Sequence, residues 1–380
     1  MITRRLAIDD LRGRRCSADE VSAFVDGREF PLIEGRVATF VWRGDADAVQ
    51  LRHFIYGLPA EMPFSRVDGT DLWYCVVEVP ERSRIEYKLN IVRNGGGEWI
   101  RDPRNSNLAH DPFGANSVCH GEGYSTPSWI EVDPEARPGT IEEHVLRDTP
   151  FGEPRRVTLY KPARFRATRR YPVLIVHDGG DYLNYAAART VLDNLIHRDE
   201  LMPVVVAFTH PGDRLIEYPD DPRHVAYIAE TLLPWLESSL PLYGTPESRC
   251  LMGASFGGVA SLAVAWRHPG VFGRLLLQSG SFAFTEIGDH SRGPAFDPVV
   301  AFMNQFRADP GEPSQRVFVS CGTYETLIYE NRSLVPLLQQ TGMAVRFVEA
   351  RDGHNWENWR DRLREGLSWL LPGHLWMTYE

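Results

Sequence analysis

A chain of 380 residues with 43% hydrophobic and 24% charged residues has the composition of a folded protein, and it is too long for one ordinary core. A formal net charge of −10 argues against nucleic acid or an anionic membrane surface as the principal partner. No run of about 18 apolar residues offers a membrane span.

The basic start, Met1-Ile-Thr-Arg-Arg, is followed by charges instead of an apolar core and a cleavage site, so no secretory signal is expected. Residues 1–30 read as an irregular or helical lead-in. The first third is then strand-like, with short β-rich runs at Val37–Trp42, Val49–Ile55 and Leu72–Val79. In Arg84–Val92, Ile85, Tyr87, Leu89 and Ile91 alternate with polar residues, as a half-buried antiparallel strand requires. Short strands between Gly, Pro and Asp turns predict a β-sandwich. A loop-rich stretch covers 101–123, and the proline-rich segment 127–138 suggests a connection. The expected domains are therefore 1–135 and 136–380.

From about 153 the pattern changes. Apolar or β-branched runs occur at Val157–Tyr160, Val173–Val176, Val204–Phe208, Cys250–Met252, Leu275–Leu277, Val317–Ser320 and Val345–Val348. Helix-length segments lie at 184–197, 223–239, 257–268, 330–342 and 356–371. Continuous apolar strands alternating with helices predict an α/β-hydrolase-type, doubly wound and mostly parallel sheet covered on both faces. Ligands of such sheets sit at the carboxyl ends of the strands.

Gly253-x-Ser255-x-Gly257 follows one of these runs and precedes a helical stretch. A sharp strand-to-helix turn would push the Ser255 hydroxyl out of the sheet, and only small residues fit two positions to either side. Ser255 is the expected nucleophile, with the Phe256 amide as one oxyanion donor. The order in this fold is serine, acid, histidine. His354 follows the last strand and an Asp-Gly turn, and is the expected base; His374, at the chain end, is a poor rival. Glu325 is the first carboxylate past the strand at 317–320 and is the expected acid. Glu330, read as a helix-start residue, and Asp352, read as shaping the turn, are its alternatives.

The second oxyanion donor is expected from the loop His177-Asp-Gly-Gly180, through the Gly180 amide. Arg214, Glu217 and Tyr218 follow the next strand, where they could grip a polar or anionic substrate or form an internal salt bridge. Trp356 could wall the pocket; Trp359 is better suited to packing the last helix. Five scattered cysteines without a C-x-x-C spacing speak against a disulfide framework and a zinc site, and for a reducing compartment. No metal or organic cofactor is expected.

A set of motifs adds to this. His177-Asp-Gly-Gly, Arg214-x-x-Glu-Tyr, Glu230-Thr-Leu-Leu-Pro, Gly253-Ala-Ser-Phe-Gly-Gly, His268-Pro-x-x-Phe-Gly, Gln278-Ser-Gly-Ser, Glu325-x-x-x-x-Glu-Asn-Arg and Asp352-Gly-His-x-Trp-x-x-Trp resemble the enterochelin (enterobactin) esterases. Phe40-Val-Trp, Leu72-Trp, Tyr87-Lys, Asp102-Pro-x-Asn and Phe113-Gly-x-Asn-Ser resemble that family's N-terminal domain. The resemblance implies an N-terminal immunoglobulin-like sandwich and cytoplasmic hydrolysis of the ester backbone of a catecholate siderophore. It also implies Ser255, His354 and Glu325 as the catalytic set. A feruloyl or carbohydrate esterase with a glycan-binding N-terminal module is the alternative. The intact serine, carboxylate and histidine in the right order speak against a non-catalytic scaffold.

Overall fold

The computed structural model describes residues 5–285 and 292–374. The first four residues of the basic N-terminus therefore lie outside it. Backbone contacts divide the chain into two compact units. The first runs to Thr126 and takes in Thr323–Glu325 and Ala350–Gly353; the second holds the remainder.

The first unit opens with α1 (Ala18–Val25), capped by the Ser17 hydroxyl and the reciprocal Glu20 carboxylate. Ten strands follow: β1 (Leu32–Glu34), β2 (Val37–Arg43), β3 (Ala48–His53), β4 (Glu61–Pro63), β5 (Ser65–Arg66), β6 (Leu72–Glu78), β7 (Arg84–Arg93), β8 (Gly96–Ile100), β9 (Leu108–Asp111) and β10 (Gly114–His120). They form two antiparallel sheets, ordered β1-β2-β6-β5 and β4-β3-β7-β10-β9, with β8 on β7. The alternation read in β7 is real: Ile85, Tyr87, Leu89 and Ile91 join Phe40, Trp42 and Trp73 in one core. The stretch expected to be loop holds β9 and β10. Asn, Ser and Gly there mask the period, because Asn105, Asn116 and Ser117 are buried by hydrogen bonding and not by apolarity.

The second unit is built on β11 (Thr140–Leu146), β12 (Arg155–Lys161), β13 (Val173–Val176), β14 (Val205–Thr209), β15 (Arg249–Ala254), β16 (Arg274–Gln278), β17 (Arg316–Gly322) and β18 (Ala344–Ala350). Their order is β11-β12-β14-β13-β15-β16-β17-β18. The run β14-β13-β15-β16-β17 is parallel, while β11 and β12 are antiparallel neighbours at one edge. Alternate residues serve opposite layers. Val173, Ile175, Leu275, Leu277, Val317 and Val319 join one core, and Leu174, Val176, Leu276 and Phe318 the other. Burial on both faces explains the unbroken apolar runs.

Nine helices cover these faces: α2 (Gly179–Tyr185), α3 (Ala188–His197), α4 (Arg214–Glu217), α5 (Pro222–Ala226), α6 (Leu233–Ser239), α7 (Phe256–Arg267), α8 (Asp297–Ala308), α9 (Ile328–Gln339) and α10 (Trp356–Leu370) among the described residues. The helix expected at 184–197 is two helices, because Ala187 takes a left-handed φ of 46° between them. Between α5 and α6 a π-helical turn spans Tyr227–Leu232, just ahead of Pro234, whose missing N–H removes one helical bond. Besides the short α4, which lies in a stretch expected to be loop, two longer elements went unread. β11 is a polar edge strand in which only Leu146 is buried, and α8 buries Val299, Phe302, Met303 and Phe306 at helical spacing. The compact units part at Thr126, ahead of the expected connection at 135. Asn194 explains this by donating to the carbonyls of Trp129 and Glu131 (2.8 and 2.7 Å), which fastens that segment to the second unit.

Candidate active site

Strand β15 ends at Ala254 and α7 begins at Phe256, leaving Ser255 alone in the turn with φ 56° and ψ −121°. Such a backbone costs about 1–3 kcal/mol in a non-glycine residue and persists only where its surroundings enforce it. Here the Ser255 N–H donates to Gln278 O (2.9 Å), and its carbonyl accepts from Gly258 N–H and Ser281 N–H (3.1 Å each). A Cβ on Gly253 would stand 2.2 Å from the Gly257 carbonyl oxygen, so the tight crossing of strand and helix admits only glycine there. The Ser255 hydroxyl is partly exposed and lies 3.1 Å from Ser281 Oγ. Phe256 and Gly257 occupy the first turn of α7, where amides lack intrahelical acceptors.

The loop after β13 packs against this turn: a Cβ on Gly257 would lie 3.2 Å from both His177 Cβ and Asp178 Oδ2. His177 is fully buried. Its Nδ1 is 3.2 Å from Met252 O and 3.0 Å from Ser261 Oγ, and its Nε2 is 3.0 Å from His224 Nε2. Burial pulls His177 down to about 4 and His224 well below its usual value, so the pair is neutral near pH 7. Asp178 is left-handed (φ 54°), and its N–H donates to the buried Tyr218 hydroxyl at 3.0 Å. Gly179 and Gly180 then open α2. Gly179 must be glycine, since a Cβ would come within 2.3 Å of Phe208.

Arg214 holds Asp178 with two bonds, Nε to Oδ1 at 3.1 Å and Nη2 to Oδ2 at 2.8 Å, and its guanidinium lies over the rings of Tyr218 and Phe256. Its side chain remains about one-third exposed (37%), which leaves a face for solvent or ligand. Glu217 is buried and bonded to Arg155 (2.7 Å) and to the amides of Gly212 and Asp213 (3.2 Å each). Tyr218 is buried on Asp178. Of the three residues read as a substrate grip, Glu217 is thus engaged in its own loop and with Arg155, and Tyr218 in the loop after β13.

After β18, the exposed His354 ring stands edge-on to Trp359, with centroids 5.0 Å apart. Trp359 donates its indole N–H to Ser279 Oγ (2.9 Å), and its carbonyl accepts from Gln278 Nε2 (2.8 Å). Gln278 is the same residue that holds the Ser255 amide, so a short path of contacts joins the base candidate to the nucleophile candidate. The partly buried Trp356 packs edge-on against Tyr182 (5.2 Å) and Trp359 (4.7 Å). Glu325 is buried three residues past the end of β17, in a segment grouped with the first unit. Its rivals are engaged elsewhere. Glu330 lies in the first turn of α9 and pairs with Arg292, whereas Asp352 accepts from Gly353 N–H (2.7 Å) and Arg84 Nη1 (3.0 Å). His374 follows α10, with its amide donating to Asp199 at 3.3 Å.

Sequence reasoning quoted Asp178, Gln278, Ser279 and Ser281 within motifs but gave them no role. Their polar chemistry amid apolar runs at strand ends was the available signal. Among the described residues no cluster of His, Cys, Asp and Glu could hold a metal, and no helix is long and apolar enough to cross a membrane.

A model of the Esterase family matches residues 149–370. The iron(III) enterobactin esterase of Dickeya dadantii is 25% identical, with 90% of each chain covered. Among solved structures, ferric enterobactin esterase from Salmonella typhimurium aligns with a TM-score of 0.73 at 20% identity, covering 90% of this chain and 94% of that one. The enterobactin esterase from Shigella flexneri, solved in the presence of enterobactin, aligns with a TM-score of 0.71 at 21% identity over 90% and 94%. These likenesses establish a shared mixed α/β fold.

Proposed function

Because this chain belongs to the Esterase family and is a carboxylic ester hydrolase, we propose that it cleaves the ester (trilactone) backbone of a catecholate siderophore such as enterobactin, free or as its ferric complex. The observation that carries the chemistry is Ser255, held alone in a strained strand-to-helix turn with its hydroxyl outward. The relatives supply the substrate class. They are named for iron(III) enterobactin, and one similar structure was obtained in the presence of enterobactin.

In this reading His354 takes the Ser255 proton and the alkoxide attacks the ester carbonyl. The amides of Gly180 and Phe256 stabilise the oxyanion, and His354 then protonates the leaving alcohol; water repeats the cycle on the acyl-enzyme. Glu325 would hold the imidazole tautomer and stabilise the imidazolium. Arg214 would meet an anionic group of the substrate, with Trp356 as an aromatic wall. The steps use only side chains and amides of this chain, and iron enters as cargo of the substrate. The first unit is read as an immunoglobulin-like sandwich, and the compartment as the cytoplasm, where siderophore iron is released.

The test is incubation with ferric and iron-free triscatecholate trilactones beside feruloyl esters, with products identified by mass. Release of linear catecholate-serine products, lost in Ser255→Ala by about 10⁵–10⁶ in kcat, is expected. Near wild-type turnover by that variant would remove Ser255 as nucleophile.

A second reading, a carbohydrate or feruloyl esterase, gains support from a groove of about 920 Å³ in the first unit, lined by Lys88, Trp99, His110 and Phe113 among others. Trp99 and Phe113 are both exposed, as a sugar-stacking surface would need. Retention on xylan or starch, with cleavage of feruloyl esters and none of trilactones, would favour it.

A further inference from the structure

Strand β7 begins at Arg84, whose large cationic side chain is almost fully buried (1% exposed). A buried guanidinium is costly unless its donors are matched to anions. Two carboxylates meet it: Asp352 Oδ1 at 3.0 Å and Glu86 Oε1 at 2.9 Å. Its backbone N–H also donates to Arg351 O at 2.9 Å, and Arg351 Nη1 returns a bond to Glu81 O at 2.8 Å. The next residue back, Ser83, bonds the Tyr324 hydroxyl at 2.6 Å.

These bonds converge on two short segments of the first unit, Ala350–Gly353 and Thr323–Glu325. The segments are also tied to each other. Thr323 N–H donates to Ala350 O (2.7 Å) and Tyr324 N–H to Asp352 O (3.1 Å), while Tyr56 N–H takes the Tyr324 carbonyl (2.7 Å). One segment ends a single peptide bond before His354, and the other ends in Glu325. Asp352 Oδ1 further accepts Gly353 N–H at 2.7 Å, which sets the backbone entering His354.

We propose that Arg84 is a positioning residue for hydrolysis: through its buried ion pair with Asp352 it holds the turn that delivers His354, and the Ser83–Tyr324 bond does the same for the segment carrying Glu325. The inference rests on the reading of His354 as base and Glu325 as acid. A displacement of about 1 Å in a reacting group can cost about 10²-fold in rate, so loosening these segments would act on kcat before KM.

Arg84→Met, Arg84→Lys and Tyr324→Phe in the full chain provide the test, read with a small activated aryl ester and by fluorophosphonate labelling of Ser255, so that siderophore specificity plays no part. Arg84→Met is expected to lower kcat by about 10²-fold with KM within about threefold, and to slow labelling in parallel. Arg84→Lys is expected to restore part of both. A purely structural role would lower the folded fraction but leave kcat and labelling rate of the folded enzyme unchanged, with no rescue by lysine. Tyr324→Phe removes one hydroxyl only and decides the matter if Arg84→Met fails to fold, with an expected drop in kcat of about three- to tenfold. Folded variants with unchanged kcat and labelling rate would overturn the proposal. If Ser255→Ala keeps its turnover, the underlying catalytic reading fails instead.

Discussion

Trp359 donates its indole N–H to Ser279 Oγ at 2.9 Å while the His354 ring rests on its edge, so one tryptophan joins the last helix to the strand end beside the nucleophile. Ser279 is itself left-handed (φ 46°) and donates its amide to Ser320 O at 2.7 Å, which ties β16 to β17 at the same level. The indole thus fastens α10 to the carboxyl edge of the sheet. Trp359→Phe keeps an aromatic ring but loses the indole N–H and part of the buried bulk, a change of about 1–2 kcal/mol. Its unfolding midpoint, followed by circular dichroism, should fall by about 2–4 °C. Trp359→Ala should cost about 3–5 kcal/mol and lower kcat as well, since the support of His354 goes with it.

Ser281 Oγ sits 3.1 Å from Ser255 Oγ, and its amide holds the Ser255 carbonyl. Only the hydroxyl is lost in Ser281→Ala; the amide that enforces the turn remains. One hydrogen bond between neutral groups is worth about 1 kcal/mol, so kcat/KM should fall by no more than about tenfold. A loss comparable with that of Ser255→Ala would give Ser281 a larger part in the chemistry than the geometry assigns it.

His177 and His224 give the fold a pH dependence. Burial lowers both below their ordinary value, His177 to about 4. The unfolded chain therefore binds more protons than the folded one in this window. The stability is present in full above about pH 6.5 and is lost as pH falls toward 4, by up to about 1.4 kcal/mol per pH unit for each group. Denaturant midpoints measured from pH 7.5 to 4.5 should decline, and His224→Gln should decline less steeply over the same range. Equal slopes would show that the pair does not titrate as its burial requires.

Much of the second unit is legible in the chain because its strands are buried on both faces. Runs such as Val173–Val176 can be nothing but interior, and their ends mark where Ser255 and His354 stand. The elbow is legible for a steric reason: Gly253 has no room for a Cβ beside Gly257. Polar elements were harder to read. β10 buries Asn116 and Ser117 through hydrogen bonds, and β11 is a charged edge, so neither carries an apolar period.

The amino-acid order alone determined that a parallel sheet forms, that Ser255 heads a helix after one of its strands, and that His354 follows the last. Only the tertiary structure decided what each polar side chain does. Arg214 turned out to be bonded to Asp178, Glu217 to Arg155, and Arg84 to Asp352, 268 residues away. Hydrophobic periodicity is a local property that each segment displays on its own. A charge acquires its role from whichever opposite charge the completed fold brings within about 3 Å, and no spacing along the chain announces that partner.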